Sequence, residues 1–245
     1  MTEALLRVAR QRVGQFVFPR LPITRFLFDQ LRVEATAAAT RVSYALWPPR
    51  RARLRALQSE RGLLVNVACG PDVQPDFVNI DLARCAPAVF AWDCRRSLPL
   101  ADGACDGLRA EHFLEHLEPR EELPAFLAGV LRTLRPGCVL RVIVPDAEQY
   151  IRAYCQDTDS AFRALGVPDP FPHDLPTRMD VVNHVFHQWH EHRWAYDFET
   201  LAHRLRAAGF LRVERMAYRR SIDPRLACDR TVHAPYSLYV DAVKR

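Results

Sequence analysis

Gly62-Leu-Leu-Val-Asn-Val-Ala-Cys-Gly70, continued by Phe77-Val-Asn-Ile-Asp81 and Val89-Phe-Ala-Trp-Asp93, decides the fold of this 245-residue chain. Three short apolar runs follow one another, each closing on a small or acidic residue. Leu63 to Val67 is apolar and partly β-branched, and reads as a buried parallel strand closing on Ala68-Cys69-Gly70. Phe77 to Ile80 reads as a second strand ending on Asp81, and Ala88 to Trp92 as a third ending on Asp93. In an open parallel sheet, ligands bind beyond the carboxyl ends of the strands, near the point where strand order reverses. A glycine turn at such a place lets a ligand approach the backbone. A carboxylate after the second strand can accept both hydroxyls of a ribose, and one after the third can accept from an exocyclic amine. Taken in order, the three strand ends describe a nucleoside site.

Working outward, Asp102-Gly103 marks a turn, and Asp106 opens a fourth strand, Gly107 to Ala110. Glu111-His-Phe-Leu-Glu-His-Leu117 follows its carboxyl end. Leu123 to Leu134 has a helical apolar face, Pro136-Gly137 breaks it, and Val139 to Val144 is a buried fifth strand. Phe198 to Ala208 is a helix capped by Gly209. Leu211 to Tyr218 and Tyr236 to Val243 are two final strands, with Ser221 to Pro235 as the loop between them. Residues 147 to 196 are the least regular part. Gly166 to Pro176 holds four prolines in eleven residues, which predicts a stiff loop. The segment reads as an insertion over the active site, since long loops in compact domains are commonly functional.

Residues 63 to 146 resemble the core of class I S-adenosylmethionine (SAM)-dependent methyltransferases. They are most similar to a bacterial branch associated with polysaccharide, glycoconjugate or secondary-metabolite pathways. The resemblance rests on an ordered set: Val67-Ala-Cys-Gly70, Val78-Asn-Ile-Asp81, Asp93, Leu98-Pro99, Asp106, Leu114-Glu-His-Leu117, Leu134-Arg-Pro-Gly-Cys138 and Val144-Pro-Asp146. It resumes at His192-Arg-Trp-Ala-Tyr-Asp197 and Ala208-Gly-Phe210. It implies an α/β fold, a Rossmann-like, mainly parallel seven-strand sheet with an antiparallel last strand, preceded here by a helical extension. It also implies SAM as cofactor, with Val67, Ala68, Cys69, Gly70, Asp81, Leu82, Asp93, Cys94 and Glu111 around it. The first motif departs from the family's Leu-Gly-Cys-Gly-x-Gly, having one glycine and then Pro71-Asp72. Proline fixes φ and removes a donor there. Pro71 to Asp76 is too short for a crossover helix and is expected to be a loop.

Two parts are expected: a basic helical extension over residues 1 to 60, and the methyltransferase-like domain over 61 to 245. The extension carries eleven arginines against four acids, while the whole chain has a net charge of +5, so the domain itself is slightly acidic. That weakens a nucleic-acid partner, which would need a basic surface beside the site. Leu5, Ala9 and Val13 recur at helical spacing. Ile23 to Trp47 reads as a second helix, with Phe26, Leu27, Leu31, Ala35, Ala38 and Val42 as its buried stripe, ended by Pro48-Pro49. Such a stretch can cover the sheet or its cleft, lie on an anionic membrane surface, or form a homodimer contact; the cover is the reading adopted. The start of the chain lacks the features of a secretory peptide. Seven cysteines without a Cys-x-x-Cys pair favour a reducing compartment, the cytoplasm.

Methyl transfer from a sulfonium needs a positioned acceptor, and an oxygen or nitrogen acceptor can also need its proton removed. His112, beyond the fourth strand, is the first candidate base; His192 is a second candidate or a substrate contact, as is His190. His116 suits a packing role better. His184, His187 and His190 could share a helix face and hold a metal, but the carboxylates a metal-dependent methyltransferase would supply are not at matching spacing, and no metal is expected. The expected activity is methylation of an O or N atom of a small-molecule or glycan-like acceptor. The alternatives are a SAM-binding partner subunit without activity and, less favoured, an RNA methyltransferase.

Overall fold

The computed structural model describes residues 23–83, 85–156 and 158–245. The stripe at Leu5, Ala9 and Val13 lies outside them. Seven strands form one sheet: β1 Leu63–Val67, β2 Val78–Asp81, β3 Phe90–Ala91, β4 Cys105–Glu111, β5 Leu134–Pro145, β6 Phe210–Met216 and β7 Ser237–Lys244. Their order is β3-β2-β1-β4-β5-β7-β6. Neighbours from β3 through β5 are parallel, and β7 runs antiparallel between β5 and β6. Among the described residues, seven α-helices accompany them: α1 Arg25–Leu46, α2 Pro48–Ser59, α3 Glu122–Thr133, α4 Ala147–Cys155, α5 Asp159–Ala164, α6 Arg178–His187 and α7 Phe198–Ala208.

One face of the sheet is apolar. Val65, Val67, Ile80, Leu108, Ala110, Val142, Val144, Val240 and Ala242 pack there with Leu123, Phe126 and Val130 of α3 and Leu201 and Leu205 of α7. Each fully buried Val, Leu, Ile or Phe among them contributes about 1.5–3 kcal/mol relative to exposure. The opposite face carries a polar row across its middle. Asn79, Asn66, Arg109, Arg141 and Asp241 stand side by side on five adjacent strands in direct register. Arg109 and Arg141 are fully buried. The chain from 217 to 236 covers this face instead of a helical layer. From it Asp229 accepts from Arg141 Nε (2.8 Å) and Nη2 (2.6 Å), while Arg141 Nη1 reaches Asp241 at 2.9 Å and the Arg220 carbonyl at 2.8 Å. Leu226 sits so close to β4 that a Cβ on Gly107 would meet it at 3.0 Å.

Two expectations change. The stripe assigned to the second extension helix is exposed: Phe26, Leu27, Leu31, Ala35, Ala38 and Val42 face away from the core. The buried residues of α1 are Ala37, Thr40 and Tyr44. Tyr44 packs on Phe90 and Trp92, with ring centroids 5.4 and 5.2 Å away, and Arg41 pairs with Asp93, so these contacts and not the apolar count choose the face. The second extension helix ends at Leu46, just before Pro48-Pro49, as expected, and a further helix starts there. Trp47 is an extended joint and Pro48 opens α2 in the first-turn position, where its missing N–H removes no helical bond. Residues 147 to 196 are not mainly irregular. They carry α4, α5 and α6 around a second small core of Tyr150, Ala153, Phe162, Leu165, Val181 and Val182. Pro71 to Asp76 is a loop, as expected.

Candidate active site at the carboxyl edge of the sheet

Beyond β1 the backbone turns on two left-handed residues, Ala68 (φ 52°) and Gly70 (φ 50°). Gly70 adopts this conformation freely, whereas for Ala68 it costs about 1–2 kcal/mol. The turn brings the Gly70 N–H to Asp81 Oδ2 at 2.9 Å, and the Ala83 N–H donates to Oδ1 at 2.7 Å. The ends of β1 and β2 are thus joined through one carboxylate. Burial raises the Asp81 pKa, against the lowering by these two N–H groups. Cys69 and Cys94 are buried thiols beside it. Burial together with the Asp81 charge pushes Cys69 up to about 12, and complete burial raises Cys94, so neither supplies a thiolate.

Asp93, beyond β3, is nearly buried and already paired. Arg95 reaches it at 2.9 Å and Arg41 of α1 at 2.8 Å. Burial opposes its charge, but these hydrogen bonds outweigh it and hold the carboxyl below its usual range. Arg95 continues to Glu34 of α1 at 2.5 Å and to Glu122 of α3 at 3.3 Å. A cleft of about 640 Å³ opens beside this network; Arg95, His116, Glu122 and Arg193 contribute to its lining, with Glu34 and Val33 from α1. A second cleft of about 550 Å³, lined by Asp72, Gln74, Arg219 and residues 227–232, lies over the polar row. Neither is lined by Gly70 or Asp81.

Beyond β4, Glu111 and His112 diverge. The Glu111 carboxylate turns toward the polar row, where it accepts from Arg109 Nη2 and pairs with His233 Nδ1 at 2.7 Å. Burial opposes its charge, and His233 and Arg109 lower its pKa in spite of that. His112 has a left-handed backbone (φ 52°), pinned by its N–H to the Ile143 carbonyl at 2.8 Å. Its Nε2 lies 2.9 Å from Ser237 Oγ, and its Nδ1 lies 3.3 Å from Glu115. His233 stacks on its ring at 3.8 Å, with Tyr236 edge-on at 5.7 Å.

His192 comes to the same place from the far side. The Arg193 and Trp194 N–H groups donate to the Glu115 carbonyl at 2.7 and 3.2 Å, which fastens residues 192–194 to the 3-10 turn Leu114–His116. His192 Nδ1 donates to the Val185 carbonyl at 2.6 Å, and burial lowers the pKa of its ring despite the opposing pull of Glu115. His184, His187 and His190 do not share a helix face. The helix α6 ends at His187, and Gln188, Trp189 and His190 all have positive φ, which turns His190 toward Phe26.

Sequence reading missed His233, Tyr236 and Ser237 around His112. Their only signal was a histidine and a tyrosine in the loop before the last strand. It also passed over Arg109 and Arg141, although a charge inside an otherwise apolar strand is a visible anomaly.

The strand order, with its reversed β7, is the arrangement implied by the sequence resemblance. The chain has the Rossmann-like methyltransferase fold. No family model matches the chain, and no curated protein does. Solved structures do. A SAM-dependent methyltransferase from Archaeoglobus fulgidus is 17% identical over 89% of this chain and 99% of its own, with a TM-score of 0.44. One from Aquifex aeolicus is 15% identical over 87% and 97%, at 0.43. The Burkholderia thailandensis 1,6-didemethyltoxoflavin N1-methyltransferase, solved with S-adenosylhomocysteine, is 15% identical over 91% and 92%, at 0.43. Likeness at this level says nothing of what this chain acts on.

Proposed function

We propose that this methyltransferase-fold chain is a SAM-dependent methyltransferase that modifies an O or N atom of a small-molecule or glycan-like acceptor. The observation that carries the reading is Asp81, at the end of β2, held by the Gly70 N–H of the turn after β1. A carboxylate has about four lone-pair sites; the Gly70 and Ala83 N–H groups use two, and two remain for ribose hydroxyls. Val67, Ala68, Cys69 and Leu82 would frame that half of the cofactor. Cys94 and Asp93 would meet the adenine, provided Arg41 yields its place on Asp93. SAM, when bound, supplies an electrophilic methyl group. His112 would hold the acceptor and take its proton as the new bond to carbon forms. The near-neutral charge of residues 61 to 245 favours a small or sugar-like acceptor over RNA.

The pairing of Asp93 with Arg41 and Arg95 favours a second reading, a partner subunit that does not turn over. Both readings bind SAM, so release of S-adenosylhomocysteine with an acceptor separates the two, and calorimetry tests the cofactor site they share. The methyltransferase reading expects saturable binding, weakened by about 1.5–3 kcal/mol in Asp81→Ala, the scale of hydrogen bonds to a charged group. Unchanged affinity in that variant would remove Asp81 from the site, and no binding by the wild type would sink the reading.

A further inference from the structure

We propose that Glu115, His116 and His192 form a binding site for one divalent transition-metal ion of the zinc class. Among the described residues, these three bring one ligand atom each to within 4.8 Å of one another. A tetrahedral site with metal–ligand bonds of about 2.0–2.2 Å needs its donors about 3.4 Å apart, so small side-chain rotations close it.

Three features mark the set as built. Glu115 is 1% exposed, and neither of its carboxylate oxygens has a protein hydrogen-bond partner; His112 Nδ1 approaches Oε1 at 3.3 Å without aligning on it. A buried, unmatched carboxylate is expensive, and a cation is the group that satisfies it. Both rings are also set in one tautomer. His192 Nδ1 donates to the Val185 carbonyl at 2.6 Å and His116 Nδ1 to the Glu191 carbonyl at 3.1 Å, which leaves Nε2 of each ring with a lone pair for a metal. A backbone carbonyl behind each ligating imidazole is the usual support of a metal site. Finally, the two halves are stitched together, since the Glu115 carbonyl accepts from the Arg193 and Trp194 N–H groups. Entry is open, because His116 lines the cleft beneath α1.

Two imidazoles and one carboxylate leave positions for water or substrate, as in catalytic zinc and non-haem iron(II) sites. On the sequence, His184, His187 and His190 are the metal candidates and no metal is expected; the proposed site uses other histidines. The ion would stand beside His112, where it could polarise an acceptor oxygen. That use rests on the methyltransferase reading; binding does not.

The test is metal binding to the tag-free, full-length chain, with Zn²⁺ competed against a chromophoric chelator and Co²⁺ followed by its visible ligand-field bands. One saturable site per chain is expected. Glu115→Gln and His192→Ala should each weaken Zn²⁺ binding by more than the ~10- to 100-fold typical of losing an outer partner. His203→Ala, an exposed histidine on α7, should not alter it. If His192→Ala does not fold, His116→Ala carries the same expectation from a less buried position. A wild-type chain without a saturable site, or a folded Glu115→Gln or His116→Ala variant with wild-type affinity, overturns the proposal. SAM affinity is measured on the same samples. Zn²⁺ binding without SAM binding would refute the methyltransferase reading and leave the metal site standing.

Discussion

His112 is held from three sides before any substrate arrives. Its backbone is fixed to Ile143, one ring nitrogen faces Ser237 and the other faces Glu115. A base so oriented loses little freedom when it acts, and general-base catalysis is worth about 10²- to 10⁴-fold. His112→Ala should lower turnover by about that factor once an acceptor is in hand, with SAM affinity unchanged because Asp81 and Asp93 lie on other strands. Joint loss of SAM binding and thermal stability would instead make His112 a packing residue. At this scale the sequence was informative where chemistry is local. Gly70, Asp81 and His112 could be named because each lies at or just beyond the carboxyl end of a strand. Glu111 could be named but not placed, since its partner His233 is 122 residues away and no local period announces it.

Among the elements, the polar row of the sheet sets the energetics. Arg141 lies between two fully buried carboxylates, Asp229 and Asp241. Breaking a buried pair by removing one partner costs about 3–5 kcal/mol, because the other charge is left uncompensated. Arg141→Met should therefore destabilise the fold by at least that amount in urea unfolding. Replacing Arg141 and both aspartates together with apolar residues of similar size should recover much of the loss. If Arg141→Met alone unfolds at the wild-type midpoint, the cluster is not holding residues 217–236 in place. Strands β1 and β5 could be read from sequence because burial on both faces demands apolar residues there. Arg109 on β4 and Arg141 on β5 make sense only with their acids, Asp72 and Glu111 for the first and Asp229 and Asp241 for the second, and most of these lie on other elements, which is why this row stayed hidden.

Across the whole molecule, α1 is tied to the domain through Arg41 and Arg95 on Asp93, with Glu34 completing the network. The Asp93 carboxyl is held below its ordinary value, so its contribution to docking is complete above the unfolded pKa of about 3.9 and is lost as pH falls through the lower folded value. Proteolytic cleavage near Trp47 should thus stay slow from neutral pH down to about 4 and accelerate below it. Asp93→Asn should be cleaved quickly even at neutral pH. Equal rates in the two proteins would mean that Tyr44 packing alone holds the helix. The described part of the extension, residues 25 to 59, was legible as helical, yet its inward face was not. A stripe of large apolar residues promised burial, and ion pairs with the end of β3 decided otherwise.

Strand β7 lies between β5 and β6, and this sets a timetable for the newborn chain. On the ribosome, β5 and β6 are both finished before their shared neighbour exists. β6 hydrogen-bonds to β7 alone among the described strands, so it has no place to dock until residues 237 to 244 emerge. Until then β5 presents a bare edge, the kind of template on which chains aggregate. The same eight residues close the gap and carry Ser237 to His112 and Asp241 to Arg141. Completion of the sheet and assembly of the histidine cluster are therefore one late event, and a chain halted before it would be both unfinished and sticky.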